Sequence, residues 1–108
     1  MDEEKYSLIY TTGDSQENLE AIAKQLLEES LIACANMFPG MTSMYKWKGQ
    51  IQSASEIAML LKAKSQDFPT IEKLITNLHS YDCPVILEIS IANLNSDYQA
   101  YLKGDSFC

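Results

Sequence analysis

The alternation of apolar and polar residues divides the chain into strands and helices. Residues 6–12 form a β-branched and aromatic run that predicts a first strand. After a break at 13–15, apolar residues recur three and four positions apart, which predicts a helix over residues 16–30. A second helical pattern covers residues 65–80, and a further apolar run at 85–92 predicts the last strand.

Two helix starts can be predicted from residue types that satisfy free backbone N–H groups. Asp14 and Glu17 have the spacing of a capping box, and Ser15 offers an alternative start for the same helix. In the second helix, Asp67 is the expected N-cap, and Pro69 suits the first turn because its missing N–H costs no hydrogen bond there.

A long β-hairpin is predicted between the two helices. The chain is expected to turn at Pro39-Gly40, to continue with alternating large residues, and to break at Lys48-Gly49 before a second run at 50–61. Each strand could reach ten or more residues, whereas about five or six is usual. The surplus length needs another surface to bury it, and a second copy of the chain is the simplest candidate.

The predicted order is β-α-β-β-α-β with a short C-terminal extension at residues 98–103. This order indicates an α+β fold of the ferredoxin-like type, an antiparallel sheet with both helices on one face. The fourth strand is apolar on both sides except at Glu88 and Ser90, so the other face of the sheet must also be covered. We expect a single domain over residues 1–108, with residues 1–5 as a mobile tail.

Composition narrows the range of functions. Fifteen acidic and eight basic residues give a net charge of −7, which disfavours binding to nucleic acid. No apolar run has transmembrane length, and the acidic N-terminus does not resemble a signal peptide. Three scattered cysteines do not form a disulfide framework and suit a reducing compartment. We therefore expect a cytoplasmic protein without membrane insertion.

The candidate metal ligands are one histidine and two cysteines. His79 lies at the end of the second helix, four residues before Cys83, and imidazole and thiolate groups bind soft or borderline metals. The alternative for His79 is an imidazole bonded to carbonyl groups at the helix end. The alternative for Cys34 is a small buried apolar residue. Cys108, the last residue, is expected to be an exposed reactive thiol.

Two further sets of residues are candidates for ligand binding or assembly. Lys62 and Lys64 could bind an anion at a subunit cleft together with Tyr45 and Trp47, although a solvated strand end is the alternative. Aromatic residues more often serve cores and interfaces than ligand stacking. The residues expected at an oligomer interface are Tyr45, Trp47, Tyr81, Tyr98 and Tyr101. No phosphate-binding loop, nucleophile elbow or zinc-protease motif occurs, so we expect no enzyme activity.

Three ordered motifs resemble those of one family. Cys-x-Asn-x-x-Pro-Gly at 34–40, Ser-x-Tyr-x-Trp-x-Gly at 43–49 and Leu-His-Ser-Tyr-Asp-Cys-Pro at 78–84 resemble the CutA divalent-cation tolerance proteins. The resemblance implies a homotrimer that binds or senses divalent metal ions, with copper the leading ion and no organic cofactor. It implies ligand roles for Cys34 and His79. The alternatives are a module that binds a small anion at subunit clefts, as in the PII signalling proteins, or a scaffold that anchors an unknown protein partner.

The chain departs from the family pattern after the third motif. Relatives usually place Glu directly after the proline, where this chain has Val85. Glu88 has the required carboxylate, but it lies three positions further along the strand. Because side chains alternate between the two faces of a sheet, we expect Glu88 to face away from Val85.

Overall fold

The computed structural model describes residues 4–104 and confirms the predicted α+β fold. Asp2, Glu3 and the Cys108 thiol lie outside the described residues. Of the expected tail, the structure describes Glu4 and Lys5. Glu4 forms an ion pair of 3.5 Å with Lys64, and the carbonyl of Lys5 accepts a hydrogen bond of 2.9 Å from the N–H of Ser65. The elements are β1 (Tyr6–Gly13), α1 (Gln16–Glu28), β2 (Cys34–Trp47), β3 (Gln50–Lys64), a 3-10 turn (Ser65–Asp67), α2 (Phe68–Leu78), β4 (Ile86–Ser90) and α3 (Ser96–Lys103).

The four strands form one antiparallel sheet in the order β2-β3-β1-β4, so β2 and β4 are the edges. Ile9 on β1 stands opposite Leu61 on β3 and Glu88 on β4. This order is that of the ferredoxin-like fold.

The hydrophobic core lies between one face of the sheet and helices α1 and α2. Odd-numbered residues of β1 and β3 point into it because side chains alternate along a strand. Helical spacing three and four apart directs the apolar stripes of α1 and α2 onto the same layer. The fully buried members of this core are Ile9, Leu19, Ile22, Leu26, Met59, Leu61, Ile71 and Ile75.

The first helix begins at Gln16 as predicted, and it ends two residues earlier than predicted. Ser15, and not Asp14, is the N-cap, and its hydroxyl accepts a hydrogen bond of 3.1 Å from the N–H of Asn18. The helix ends at Glu28 because Ser30 adopts a left-handed conformation with φ of 57°. The N–H of Leu31 then bonds to a carbonyl of the last turn, as in a Schellman motif, and the chain turns back to the sheet.

The later elements also differ in their bounds. The segment predicted as one helix over 65–80 is a 3-10 turn followed by α2, and Asp67 at its start makes no capping bond with its side chain. His79 ends α2 because its backbone is extended, with φ of −67° and ψ of 143°. The strand predicted over 85–92 covers only Ile86–Ser90. The C-terminal extension is the eight-residue helix α3.

The hairpin of β2 and β3 is continuous through Pro39-Gly40, so the prediction of a turn there is wrong. Phe38 pairs with Ala58 and Met41 pairs with Glu56, so β2 holds one extra residue between these pairs. Such a bulge suits an edge strand, where proline removes no sheet hydrogen bond. The tight turn is at Lys48-Gly49, where φ values of 50° and 79° match a type I′ turn.

The face of the sheet opposite helices α1 and α2, hereafter the open face, carries exposed apolar side chains. Even-numbered residues of β1 and β3 point to this side, as do even-numbered residues of β2 before the bulge and odd-numbered ones after it. Large exposed residues on this side are Phe38, Val85, Leu87 and Ile89. Exposed apolar residues grouped on one face are typical of an interaction surface.

Candidate functional site

A cavity of about 830 Å³ lies at the end of the open face, beneath the outer half of the hairpin. One wall is the outer part of β2 and β3, which carries Tyr45, Trp47 and Glu56, and the other is the loop after α2, with Tyr81 and Cys83. The odd-numbered β2 residues reach this wall because of the bulge at Pro39-Gly40. The hairpin therefore brings its lone tryptophan to the loop that carries the third sequence motif.

Glu56 is the centre of the polar contacts in this cavity. Its Oε2 atom accepts a hydrogen bond of 2.7 Å from the hydroxyl of Tyr81 and a longer one of 3.4 Å from Thr12. Partial burial raises the pKa of Glu56, but hydrogen bonds from three hydroxyl groups, that of Ser43 first, together outweigh it. The net pKa of Glu56 is lowered, and the carboxylate is ionised at neutral pH.

The hydrogen bond between Tyr81 and Glu56 has the opposite effect on the pKa of the Tyr81 phenol. Burial, followed by the hydrogen bond to Glu56 and its negative charge, raises the pKa of Tyr81. The Tyr81 hydroxyl therefore keeps its proton and remains a donor to the carboxylate.

His79 lies next to this pair, and both of its ring nitrogens make hydrogen bonds. Nδ1 accepts a hydrogen bond of 2.9 Å from the N–H of Tyr81, so the proton of the neutral ring lies on Nε2. Nε2 is 2.7 Å from the carbonyl oxygen of Thr12 and donates to it. The side chain is buried. A metal ion bound to His79 would have to replace one of these two hydrogen bonds.

Asn18 on α1 holds the segment that carries His79 and Tyr81. Its Nδ2 donates to the carbonyl of Leu78 at 2.9 Å, and its Oδ1 accepts from the N–H of Ser80 at 3.1 Å. The first bond satisfies a carbonyl that the end of α2 leaves free, and the second holds the N–H of Ser80, two residues beyond the helix. The side chain of Asn18 on α1 thus fixes the direction in which the chain leaves α2.

The two cysteines in the described chain lie apart from each other. Cys34 is half-buried at the start of β2, where its sulfur is 3.4 Å from the hydroxyl of Tyr98 and 3.8 Å from an oxygen of Asn36. Cys83 is exposed at the rim of the cavity. Within residues 4–104, no three His, Cys, Asp or Glu side chains of one protomer lie together in an arrangement that could hold a metal ion.

The residues predicted for an anion cleft lie at opposite ends of the hairpin. Lys62 stands over the ring of Tyr98 at 5.3 Å, next to Cys34, and Lys64 pairs with Glu4. Tyr45 and Trp47 line the cavity. Lys62 and the β3 position opposite Tyr45 are ten residues apart, about 33 Å at the usual strand rise. A cleft built from all four would have to draw on two protomers.

The five aromatic residues predicted for an interface fall into two groups. Tyr45, Trp47 and Tyr81 surround the cavity. Tyr98 and Tyr101 lie on α3 with ring centroids 5.3 Å apart, and the Tyr101 hydroxyl donates to the carbonyl of Ala33 at 3.2 Å. The second group therefore attaches α3 to the start of β2.

Val85 and Glu88, the two positions compared in the sequence analysis, lie on opposite sides of the sheet, as expected. Val85 lines the cavity, whereas Glu88 accepts a hydrogen bond of 2.7 Å from Ser7 on the helix-covered side. The acid of the cavity is Glu56, which the sequence analysis missed. One signal was available, since Glu56 is the lone acid in an otherwise apolar and neutral strand run.

The strand order, the helical layer on one face and the hairpin with its cavity define an α+β protein of the ferredoxin-like class. A family model described as CutA1 divalent ion tolerance protein matches residues 7–105. The chain belongs to this family.

Relatives and solved structures agree with this assignment. The divalent-cation tolerance protein CutA of Thermus thermophilus is 36% identical over 99 residues, which cover 92% of this chain and 96% of that one. The corresponding protein of Archaeoglobus fulgidus is 42% identical over 86 residues, covering 80% and 83%. The crystal structure of CutA1 from Ehrlichia chaffeensis superposes with a TM-score of 0.89 at 34% identity, covering 96% and 97%.

One comparison bears on location. The structure of the Archaeoglobus fulgidus protein, with a TM-score of 0.87 at 36% identity over 93% of this chain and 97% of that one, is described as periplasmic. In the present chain, none of the helices among residues 4–104 is long and apolar enough to cross a membrane.

Proposed function

We propose that this chain acts as a homotrimer in tolerance to divalent metal ions, by binding the ion, with copper as the leading candidate. The family name supports the role in ion tolerance. The observation that carries the binding proposal is the position of the two described thiols. Cys34 and the cavity that Cys83 borders both lie on the open face of the sheet, where a second copy would bring further ligands.

Assembly is supported by the exposed apolar surface and the unpaired sheet edges. Leu87 and Ile89 on β4 are each 49% exposed, and Phe38 on β2 is 53% exposed. Covering such side chains contributes roughly 25 cal/mol per Å² of apolar surface removed from water. Pairing the edge strands would also satisfy their free backbone groups and remove a risk of aggregation.

Copper is favoured by the ligand types. Thiolates bind Cu(I) strongly, and among divalent ions of the first transition series Cu(II) binds most tightly to nitrogen and sulfur ligands. Cys34 and Cys83 are the accessible ligands in this proposal, and His79 would join them only by giving up a hydrogen bond. The net charge of −7 attracts cations without choosing among them.

We place this activity in the cytoplasm and assign it no catalytic step. Free thiols at Cys34 and Cys83 suit a reducing compartment, and the family is named for ion tolerance and not for a reaction. Cell fractionation with an antibody to the chain tests the location, since recovery in a periplasmic or secreted fraction would contradict it.

Calorimetric titration of the fully reduced protein with Cu(I), Cu(II) and Zn(II), under a competing chelator, tests the binding proposal. A Cys108→Ser background removes the terminal thiol from the comparison. We expect saturable binding with a fixed number of ions per trimer, and loss of that binding in Cys34→Ala or Cys83→Ser. Weak binding that does not saturate, or binding unchanged in both variants, would reject it. Sedimentation of the same samples measures the mass, and a monomer at micromolar concentration would reject the trimer.

A further inference from the structure

The cavity under the hairpin combines aromatic rings with one negative charge. Tyr45, Trp47 and Tyr81 line it, and among the described residues around it Glu56 is the only charged one. We propose that this cavity binds a quaternary ammonium ion, with the charge next to Glu56 and the alkyl groups against the aromatic rings. This inference goes beyond the proposed metal role. Cys83 borders the same cavity, so the ligand is tested on metal-free protein.

The electrostatics of the cavity favour a cation. Three hydroxyl donors hold the Glu56 carboxylate in its ionised form, and the lining contains no lysine, arginine or histidine among the described residues to neutralise it. The Tyr81 hydroxyl donates a hydrogen bond of 2.7 Å to this carboxylate. A ligand cation would therefore meet the negative charge of Glu56 in a partly enclosed space, where attraction is stronger than in open water.

The aromatic rings favour an organic cation over a neutral apolar ligand. The face of an aromatic ring carries negative potential and attracts ammonium groups within about 6 Å of its centroid. Nζ of Lys48, which does not line the cavity, lies 5.7 Å from the centroid of Trp47, so this ring already contacts one cation. Several rings around one acidic group form the arrangement that recognises alkylated ammonium ions.

The size of the cavity separates this ligand from a bare metal ion. About 830 Å³ falls in the range of roughly 300–1,000 Å³ that is typical of pockets for small organic molecules. The carboxylate and thiol ligands that line the cavity are Glu56 and Cys83, and the described residues hold no group of three such ligands for a metal ion. Volume and ligand count therefore fit an organic molecule better than a metal ion held by the cavity alone.

The hydrogen bonds of Glu56 favour a quaternary ammonium ion over a primary one. Oε2 already accepts bonds from Tyr81 and Thr12, and the hydroxyl of Ser43 donates to the same carboxylate. A primary ammonium would compete with these hydroxyls for acceptors, since it carries three donors that each need a partner. A quaternary ammonium ion carries no N–H donor, so it needs only the negative charge and the aromatic rings.

Titration with choline, read by the fluorescence of Trp47, tests the proposal on the full-length protein in its native assembly. The chain contains a single tryptophan, so the signal reports on this cavity. The matched control ligand is 3,3-dimethylbutan-1-ol, which has the shape of choline without the charge, and sodium chloride keeps the ionic strength constant. We expect a saturable change with choline and an affinity at least about tenfold weaker for the neutral alcohol.

Two variants localise the effect. Glu56→Gln removes the charge and should weaken choline binding by about tenfold. Glu88→Gln makes the same change on the opposite side of the sheet and should leave the affinity unchanged. No saturable response, equal binding of the neutral alcohol, or an equal loss in both variants would overturn the proposal. Because the metal titration reads thiol variants, failure of one proposal leaves the result for the other intact.

Discussion

Tyr81 and Glu56 are joined by a hydrogen bond of 2.7 Å that links the loop after α2 to the third strand, 25 residues away in sequence. The bond lowers the pKa of the carboxyl group and raises that of the phenol, so each residue holds the other in its functional protonation state. It also fixes the loop against the hairpin, and this contact shapes the cavity.

Removing the Tyr81 hydroxyl should therefore change both titration and stability. In Tyr81→Phe we expect the pKa of Glu56 to rise, because one of its donors is lost, and the free energy of unfolding to fall by about 1 kcal/mol. Carbon-detected NMR of the glutamate carboxyl groups and urea unfolding at one fixed protein concentration measure the two effects. Tyr101→Phe is the control, since its hydroxyl bonds to Ala33 and should leave Glu56 unaffected.

Stability should depend on pH through Glu56. Its pKa is lower in the folded protein than the usual value of 4.5, so the folded state favours the ionised form. The resulting stabilisation is complete above about pH 4.5 and is lost as the pH falls through the folded pKa below it. The unfolding free energies of the wild type and Glu56→Gln should therefore converge as the pH is lowered from 6 to 3. Parallel curves over this range would contradict the assignment.

His79 is expected to support the fold whether or not it binds metal. In His79→Ala, the N–H of Tyr81 and the carbonyl of Thr12 both lose their partner. Leaving such groups unpaired costs about 1–3 kcal/mol each, so we expect a loss of roughly 2–4 kcal/mol in urea unfolding. Asn77→Ala, an exposed change two residues earlier on α2, should stay within about 0.5 kcal/mol of wild type. Equal stability of the two variants would show that the His79 contacts contribute little.

The open face should govern assembly. Leu87→Asp places a charge among the exposed apolar residues of β4, and burying an unpaired charge at an interface costs several kcal/mol. We expect sedimentation to show a lower mass with near-native circular dichroism. Thr70→Asp adds the same charge on the exposed side of α2 and should leave the mass unchanged. A wild-type mass for Leu87→Asp would move the interface away from this face.

The sequence predicted the order of elements well because local periodicity determines each of them. Apolar spacing along α1 and the β-branched run of β1 depend only on neighbouring residues. Helix ends were less accurate, since Ser30 and His79 leave the helix through backbone conformations that residue type alone does not determine. The boundaries therefore differ by a few residues while the fold agrees.

The cavity was harder to predict because its parts come from distant segments. Glu56 and Tyr81 meet only after the register of β3 against β1 is set and Asn18 has directed the chain out of α2. Motif spacing brought attention to His79, Cys83 and Trp47, yet it does not reveal which atoms face each other. For the same reason, the role of His79 as a double hydrogen-bonding group emerged from the structure.

The bulge at Pro39-Gly40 determines which side chains of β2 face the cavity. Two residues there occupy the space of one, so the phase of the side chains changes from even to odd at this point. A deletion of one residue within the bulge keeps Tyr45 and Trp47 in phase with the cavity. Deletion of Met44, further along the strand, leaves Tyr45 and Trp47 in the pairs that the Lys48-Gly49 turn sets, but it moves Ser43 away from the cavity side. The chemistry of the cavity wall is thus set by the length of the strand as much as by its composition.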